Sequence, residues 1–277
     1  MNALQRFAEL VALDQFDLAE ACLLIAADAY PSLDADAVLA RIGAMAATVR
    51  GRIPADAFAE QRIAALNHFL FEELGFRGNV DNYYDPRNSY LNDVLERKTG
   101  IPITLSILYM ELGRRIGLPM QGVSFPGHFM VKLRVARGQL VLDPFAGGTP
   151  QSEAGLRKRL EESLPPGRGG AEHALESYLV AASPHHIIAR VLRNLKVIHV
   201  EHAEHQLALG VMDRLLLAMP EAVEERRDRG LIYERLEAFR AALADLETYL
   251  QQRPEASDAV EVHAKVVELK QRCARLN

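Results

Sequence analysis

The segment from Pro102 to Ile116 constrains the fold more than any other, because its apolar residues cover nearly the whole circumference of a helix. A helix that is apolar on every side is buried inside a domain. Pro102 suits the first helical position, where its missing N–H has no helical partner to lose. Gly117, with Pro119 just beyond it, is a strong stop signal. The sequence therefore predicts a central buried helix against which the other elements pack.

Composition bounds the class of protein. The chain has 277 residues, 49% hydrophobic and 25% charged, which is ample for a globular core. A net charge of −5 does not favour nucleic acid or an anionic membrane as a partner. Cys22 and Cys273 are too few for a disulfide scaffold and fit a reducing compartment. The N-terminus is charged and no apolar run reaches membrane-spanning length, so we expect a soluble cytoplasmic protein.

Residues 1–78 show helical periodicity. Four helices are expected, at about residues 4–11, 18–26, 34–50 and 55–74. Cys22 lies on an apolar stripe and is interpreted as a small buried hydrophobic residue. His68, in the fourth helix, is interpreted as a packed core histidine.

The loop at residues 79–90 is rich in Asn, Asp and Tyr, which is typical of an ordered loop with side-chain-to-backbone hydrogen bonds. Asn88 or Ser89 is the expected N-cap of a helix that runs to about Lys98. Because this loop lies next to the buried helix, it is also a candidate pocket wall, and Asn88 a candidate binding residue. Thr104 and Ser106 are further binding candidates, although hydroxyls in a buried helix commonly bond a carbonyl one turn back.

Alternation predicts a strand from His128 to Val135 and a return strand over residues 140–142, joined by a turn at Arg137-Gly138. The alternation places His128 and Asp143 on one face of the sheet. With that turn, however, they are about 13 Å apart along the strand. A bulge or an earlier turn would be needed to bring them into contact.

The second half of the chain reads as helical. A charged surface helix is expected over residues 153–162, and the Pro- and Gly-rich run at 165–170 is the best internal boundary. Pro220 and Pro254 are 34 residues apart, which is the tetratricopeptide period, and Gly230 and Ala242 fall where paired helices cross closely. We therefore expect a first domain at 1–165 and a helical repeat region at 166–277 packed on it.

Several motifs between residues 79 and 148 occur together. They are Tyr84-Asp85-Pro86-Arg87-Asn88-Ser89, Gly100-Ile101-Pro102-Ile103, Phe125-Pro126-Gly127-His128-Phe129 and Asp143-Pro144-Phe145, with the later Arg190-Val191-Leu192-Arg193-Asn194-Leu195-Lys196. This combination resembles the bacterial transglutaminase-like family whose name derives from a Salmonella invasion regulator, with tetratricopeptide repeats following. The resemblance implies an α+β, mostly helical fold. Its core would be papain-like or transglutaminase-like, with a buried central helix against a small antiparallel sheet and helical hairpins after it.

The resemblance also implies a catalytic arrangement. Active members of that superfamily carry a nucleophilic cysteine at the start of the buried helix, a histidine on the next strand and an aspartate on the strand after it. His128 and Asp143 match the last two positions. Pro102 or Ile103 stands at the position of the cysteine, and neither residue is a nucleophile.

A separate cluster, His199, His202 and His205 with two glutamates, resembles metal-ligand spacing. It is not the HExxH pattern and has no identifiable third ligand, so a polar face of a repeat helix is the preferred interpretation. No metal site and no cofactor are predicted.

Two main hypotheses follow. The first is a non-catalytic transglutaminase-like protein that acts as a protein-interaction or regulatory module, with a protein or peptide bound through the repeat region. The alternative is a cysteine-less hydrolase or acyl-transfer enzyme that uses His128 and Asp143 with Ser106, Thr104 or a bound water. Metal-dependent chemistry at residues 199–205 is a third possibility.

Overall fold

The structure is a computed structural model that describes residues 2–136, 138–163 and 175–275. The chain divides into two compact units. One extends from residue 13 to residue 191, and the other combines the first 12 residues with those from 192 onward. The predicted boundary between residues 165 and 166 lies outside the described residues.

The described chain is mostly helical. The helices are α1 Ala3–Val11, α2 Leu18–Ala26, α3 Ala35–Arg50, α4 Ala59–Asn67, α5 Leu91–Arg97, α6 Pro102–Arg115, α7 Glu153–Ser163, α8 Leu175–Tyr178, α9 Pro184–Glu201, α10 His205–Ala218, α11 Val223–Arg235, α12 Phe239–Gln252 and α13 Ala259–Arg275. The strands are β1 Arg77–Gly78, β2 Thr99–Gly100, β3 Gln121–Val123, β4 Met130–Val135, β5 Gly138–Asp143 and β6 Thr149–Pro150.

Helix α6 is the predicted central helix. Every residue from Pro102 to Gly113 is buried, and Gly117 ends the segment with a φ of +80°. Helices α2, α3, α4 and α5 pack against it on one side, and strands β3 and β4 on another. The prediction of a buried helix that organises the first unit is confirmed.

The first helices agree with the sequence periodicity, but the fourth does not. Helix α4 begins at Ala59 and ends at Asn67, and a π-helix from His68 to Glu73 follows it. The wider π turn rotates side chains off the face that an α-helix would give them. His68 is exposed and hydrogen-bonds Glu72 at 2.7 Å. The interpretation of His68 as a core histidine was therefore wrong.

The loop at residues 79–90 is ordered by its own side chains. Asp85 caps a 3₁₀ turn at Pro86–Asn88, and its carboxylate accepts the Arg87 N–H at 2.9 Å. Helix α5 begins after Tyr90, which makes no side-chain cap. Asn88 and Ser89 therefore do not cap α5 as expected, because the short turn occupies the position where the helix was predicted to begin.

The main sheet is antiparallel, with the strand order β3-β4-β5-β6. Val135 pairs with Gly138, so Gly138 already belongs to β5 rather than to the turn. The predicted turn at Arg137-Gly138 is thus one residue too late; Arg137 itself lies outside the described residues. The smaller sheet pairs β1 and β2 in parallel.

The second unit consists of paired helices. Helix α11 packs against α12, α12 against α13, and α1 against α10. A Cβ atom added to Gly230 would lie 2.9 Å from the Leu246 side chain and 3.3 Å from the Ala242 carbonyl, so the helices cross closely here as expected. Among the residues described, no helix has the length and apolarity needed to cross a membrane.

Candidate functional site

The His128–Asp143 pair is formed. The Nε2 atom of His128 lies 2.9 Å from both carboxylate oxygens of Asp143. Both side chains are buried, at 7% and 1% exposure. Because Nε2 is engaged by the carboxylate, Nδ1 is the ring nitrogen that remains to meet a substrate or a nucleophile.

The strand register explains why these two residues meet. Val131 pairs with Leu142, and the same register carried one step further sets Asp143 opposite Met130. Asp143 is then two residues from His128 on the same face, instead of four. The separation of about 13 Å expected from the simplest turn was wrong, since the turn lies one residue earlier in the chain.

Asp143 is held by three further contacts. Its Oδ1 accepts the N–H of Phe145 at 3.1 Å, and its backbone carbonyl accepts the N–H of Gly148 at 2.8 Å. Arg159 of α7 lies 3.6 Å from Oδ2. The Phe145 ring meets the His128 ring edge-on, at 5.8 Å between centroids. These contacts fix the carboxylate and therefore the orientation of the imidazole.

Asn67 connects this loop to the central helix. Its side-chain N–H donates to the Gly148 carbonyl at 3.0 Å, and its oxygen accepts the hydroxyl of Tyr109 at 2.7 Å. Tyr109 is fully buried on α6. Asn67 was not identified from the sequence as a site residue, although it directly precedes His68, which was interpreted as a core histidine.

Arg159 was also missed. Helix α7 was expected to be a charged surface helix, yet Leu156 is buried against the apolar face that includes Val123 and Phe125. This packing turns Arg159 toward Asp143. A charged residue in a charged helix carries no sequence signal for such a role.

The start of α6 contains no nucleophile. Ile101 is the N-cap and Pro102 is the first helical residue. The hydroxyl of Thr104 donates to the Asn88 carbonyl at 2.7 Å and accepts the Ile101 N–H at 3.2 Å. Thr104 is therefore committed to holding the loop at residues 79–90 against the helix.

Ser106 and Asn88 are placed differently. Ser106 is fully buried, and its Oγ has no hydrogen-bond partner among the described residues, so the expected bond one turn back is absent. Asn88 is also fully buried; its side-chain N–H groups donate to the carbonyls of Asn82 (2.7 Å) and Tyr83 (3.2 Å). Within the described chain, neither residue hydrogen-bonds His128, whose ring hydrogen-bonds the Asp143 carboxylate.

The two cysteines do not replace the missing nucleophile. Cys22 is buried on α2, and burial, with a smaller contribution from Asp17, raises the pKa of its thiol to about 12. Cys273 is on α13, in the other compact unit. The interpretation of Cys22 as a buried hydrophobic residue is confirmed.

The histidine cluster spans a turn between two helices, not one helix face. His199 is buried near the end of α9 and lies 2.6 Å from Glu204, whereas α10 begins at His205. The expectation of a polar face was wrong for His199, because the chain reverses after Glu201. Among the described residues, no three His, Cys, Asp or Glu side chains are grouped to hold a metal ion.

A cavity of about 610 Å³ lies elsewhere in the first unit. Its walls include Phe16, Met110, Met120 and Ile187, with Glu111 buried at its edge. It is not lined by His128 or Asp143, so it is distinct from the paired residues.

Comparisons with known proteins agree with a transglutaminase-like region followed by helical repeats. The model of the transglutaminase-like superfamily matches residues 36–193, and a tetratricopeptide-repeat model matches residues 195–266. This chain belongs to the transglutaminase-like superfamily. The predicted fold, a transglutaminase-like domain followed by helical repeats, is confirmed.

Two bacterial relatives are matched over most of their length. A UPF0162 protein of Xylella fastidiosa is 41% identical over 252 residues, which cover 91% of this chain and 89% of that protein. A UPF0162 protein of Vibrio cholerae is 31% identical over 194 residues, 70% of each chain. F-box only protein 21 of Homo sapiens is 43% identical over 72 residues, which are 26% of this chain and 12% of that protein. No solved structure matches the chain at a significant level.

Proposed function

We propose that this chain is a non-catalytic transglutaminase-like protein that acts as a protein-interaction or regulatory module. The observation that carries the proposal is an incomplete catalytic arrangement. His128 and Asp143 are paired at 2.9 Å, yet Pro102 and Ile103 begin the helix that would present the nucleophile. An acyl-transfer mechanism needs a thiol or an activated hydroxyl at that place.

The repeat helices support a binding role. A cavity of about 300 Å³ between α9, α10 and α11 has an apolar floor that includes Val197, Val200 and Leu231. Its rim carries both charges, with Glu201 and Arg235 exposed to solvent. A cleft with an apolar floor and a charged rim suits a peptide or an amphipathic helix.

Two finer points belong to the same proposal. We propose a regulatory partner on the resemblance of the motifs to the family named after a Salmonella invasion regulator, and a cytoplasmic location on the two free cysteines. We propose no cofactor and no nucleic-acid partner, in line with a net charge of −5.

Catalysis is tested at His128. We expect ester or amide turnover by the wild-type protein to match that of His128→Ala, with circular dichroism showing that both proteins are folded. The alternative enzyme, which would use a bound water or the hydroxyl of Ser106 or Thr104, predicts turnover by wild type that disappears in His128→Ala. That second result would overturn the non-catalytic proposal.

The partner site is tested on the repeats. Leu231→Glu places a charge on the floor of the cleft, and Val260→Glu is a matched control, since Val260 is exposed outside the cleft. Partners of the wild-type protein are first identified by cross-linking and mass spectrometry. Each purified partner is then titrated with wild type and with both variants to measure its affinity. We expect Leu231→Glu to lose a partner that Val260→Glu keeps. Equal affinity of the two variants for every partner would refute the cleft.

A further inference from the structure

Arg190 is a partly buried cation that lacks an ion pair among the described residues. Its Nη1 donates to the hydroxyl of Ser124 at 2.7 Å, and its guanidinium carbon lies 5.6 Å from the centre of the Phe129 ring. Burial lowers the pKa of Arg190 from its ordinary value. Because a partly buried charge has lost some of its hydration, it gains from an anionic partner.

The neighbouring cations on the same helix are paired. Arg193 lies 2.9 Å from Glu225, and Lys196 lies 2.8 Å from Asp228. The sequence motif that begins at Arg190 therefore separates into two parts. Arg193 and Lys196 tie helices together in the second unit, whereas Arg190 contacts Ser124 and Phe129 and has no carboxylate beside it among the described residues.

Tyr83 is a further polar group that interacts electrostatically with Arg190. Its side chain is 39% exposed, and partial burial raises the pKa of Tyr83, although the charge of Arg190 acts in the opposite direction. The phenol is therefore a neutral hydrogen-bond donor near neutral pH. Asn88 holds the loop, since its side chain donates to the Tyr83 carbonyl at 3.2 Å.

We propose that this surface binds a carboxylate of a partner peptide that carries an acidic residue beside an apolar one. The fork of Arg190 is suited to the two carboxylate oxygens, and the hydroxyls of Tyr83 and Ser124 are further donors. Tyr84, which is 63% exposed and whose ring lies 5.4 Å from that of Tyr83, offers apolar contact from the same loop. Tyr and Arg are the residue types most enriched at binding hot spots.

A carboxylate fits this surface better than a phosphate. A carboxylate carries one negative charge, which Arg190 balances, whereas a phosphate monoester carries nearly two. Two groups act electrostatically on the Tyr83 phenol, Arg190 and Tyr84, and of these only Arg190 is a cation that could balance the charge of a ligand. This surface is not the repeat cleft, because Arg190, Ser124, Phe129 and Tyr83 all lie in the transglutaminase-like unit, residues 13 to 191.

The test is an NMR titration of the full chain. The probe is N-acetyl-glutamyl-leucine amide, with N-acetyl-glutaminyl-leucine amide as its neutral control and inorganic phosphate as a second anion. We expect saturable binding of the glutamyl peptide, with shifts at the Arg190 side chain. Arg190→Gln should weaken binding about tenfold or more, which is typical of a lost charge-assisted hydrogen bond.

Two variants keep the test decisive if Arg190→Gln unfolds. Arg190→Lys keeps the charge without the fork, and Tyr83→Phe removes only the hydroxyl; both should weaken binding by a smaller factor. Arg193→Gln, one turn along the helix, should leave binding unchanged. The proposal is overturned if wild type does not bind the glutamyl peptide, if the glutaminyl peptide binds equally well, or if phosphate binds more tightly. Equal binding by folded Arg190→Gln also overturns it.

Discussion

Gly148 provides a sharp test of how the candidate site is held, because its neighbour Gly147 is a natural control. Both glycines have a φ of +72°, which side chains rarely adopt. A Cβ atom on Gly147 would meet nothing within 4 Å, whereas one on Gly148 would overlap the Asn67 amide, 2.7 Å from its Cγ. Gly147→Ala and Gly148→Ala therefore share a backbone cost and differ in one contact.

The magnitudes follow from this difference. The left-handed conformation costs a non-glycine residue about 1–2 kcal/mol, so Gly147→Ala should lose that amount of unfolding free energy. Gly148→Ala must also displace Asn67, which donates to the Gly148 carbonyl and accepts from the buried hydroxyl of Tyr109. Each of these bonds contributes about 1 kcal/mol, so we expect Gly148→Ala to lose about 3–4 kcal/mol.

The assay is urea unfolding followed by circular dichroism, since the chain has no tryptophan. Asn67→Ala removes the side chain that the new methyl group of Gly148→Ala would overlap. The double variant should therefore lose less unfolding free energy than the sum of the losses in Asn67→Ala and Gly148→Ala. If Gly148→Ala costs no more than Gly147→Ala, the close approach of Asn67 does not constrain the loop. Asn67 would then not be what holds the Asp143 loop in place.

Three other predictions concern the rest of the molecule. The Cys22 thiol, whose pKa rises from 9.0 to about 12, should resist a thiol reagent in the native state and react only after unfolding, while Cys273 reacts at once. The folded state holds the thiol proton of Cys22 more tightly than the unfolded state does, so the protonated thiol contributes stability below pH 9. This stability should be lost as the pH rises toward about 12, which unfolding measured at each pH would show. Arg229→Ala removes the two-bond partner of buried Asp245 (2.7 and 2.8 Å) and should cost about 3 kcal/mol in urea unfolding; no change would show that the pair is dispensable. Asn88→Ala should expose the preceding loop to limited proteolysis, and unchanged cleavage would contradict its role in holding that loop.

Local patterns predicted the parts of the fold that depend on which side chains avoid water. The apolar circumference of Pro102–Ile116 predicted a buried helix, and Pro102 and Gly117 marked its ends close to the observed ones. The alternation after His128 predicted a strand, which begins two residues later than expected, at Met130, and ends at Val135 as expected. Gly230 and Ala242 marked a close helix crossing, since only small residues allow it.

The candidate site was predicted only in part. Residue parity put His128 and Asp143 on one face of the sheet, but the position of the turn decided whether they meet. A shift of the turn by one residue changes their separation by two residues along the strand. Asn67 and Arg159 reach the site from helices distant in sequence. No periodicity within either helix indicates the loop that it contacts.

The sequence by itself determined the buried helix, the strand faces, the repeat period and the absence of a cysteine at the helix start. These features follow from side-chain chemistry and spacing along one segment. Only the tertiary structure decided that His128 bonds Asp143, that Asn67 joins the central helix to the Asp143 loop, and that Arg190 has no described carboxylate beside it. Those contacts join residues far apart in the chain, and their geometry depends on turns and helix packing that no single segment specifies.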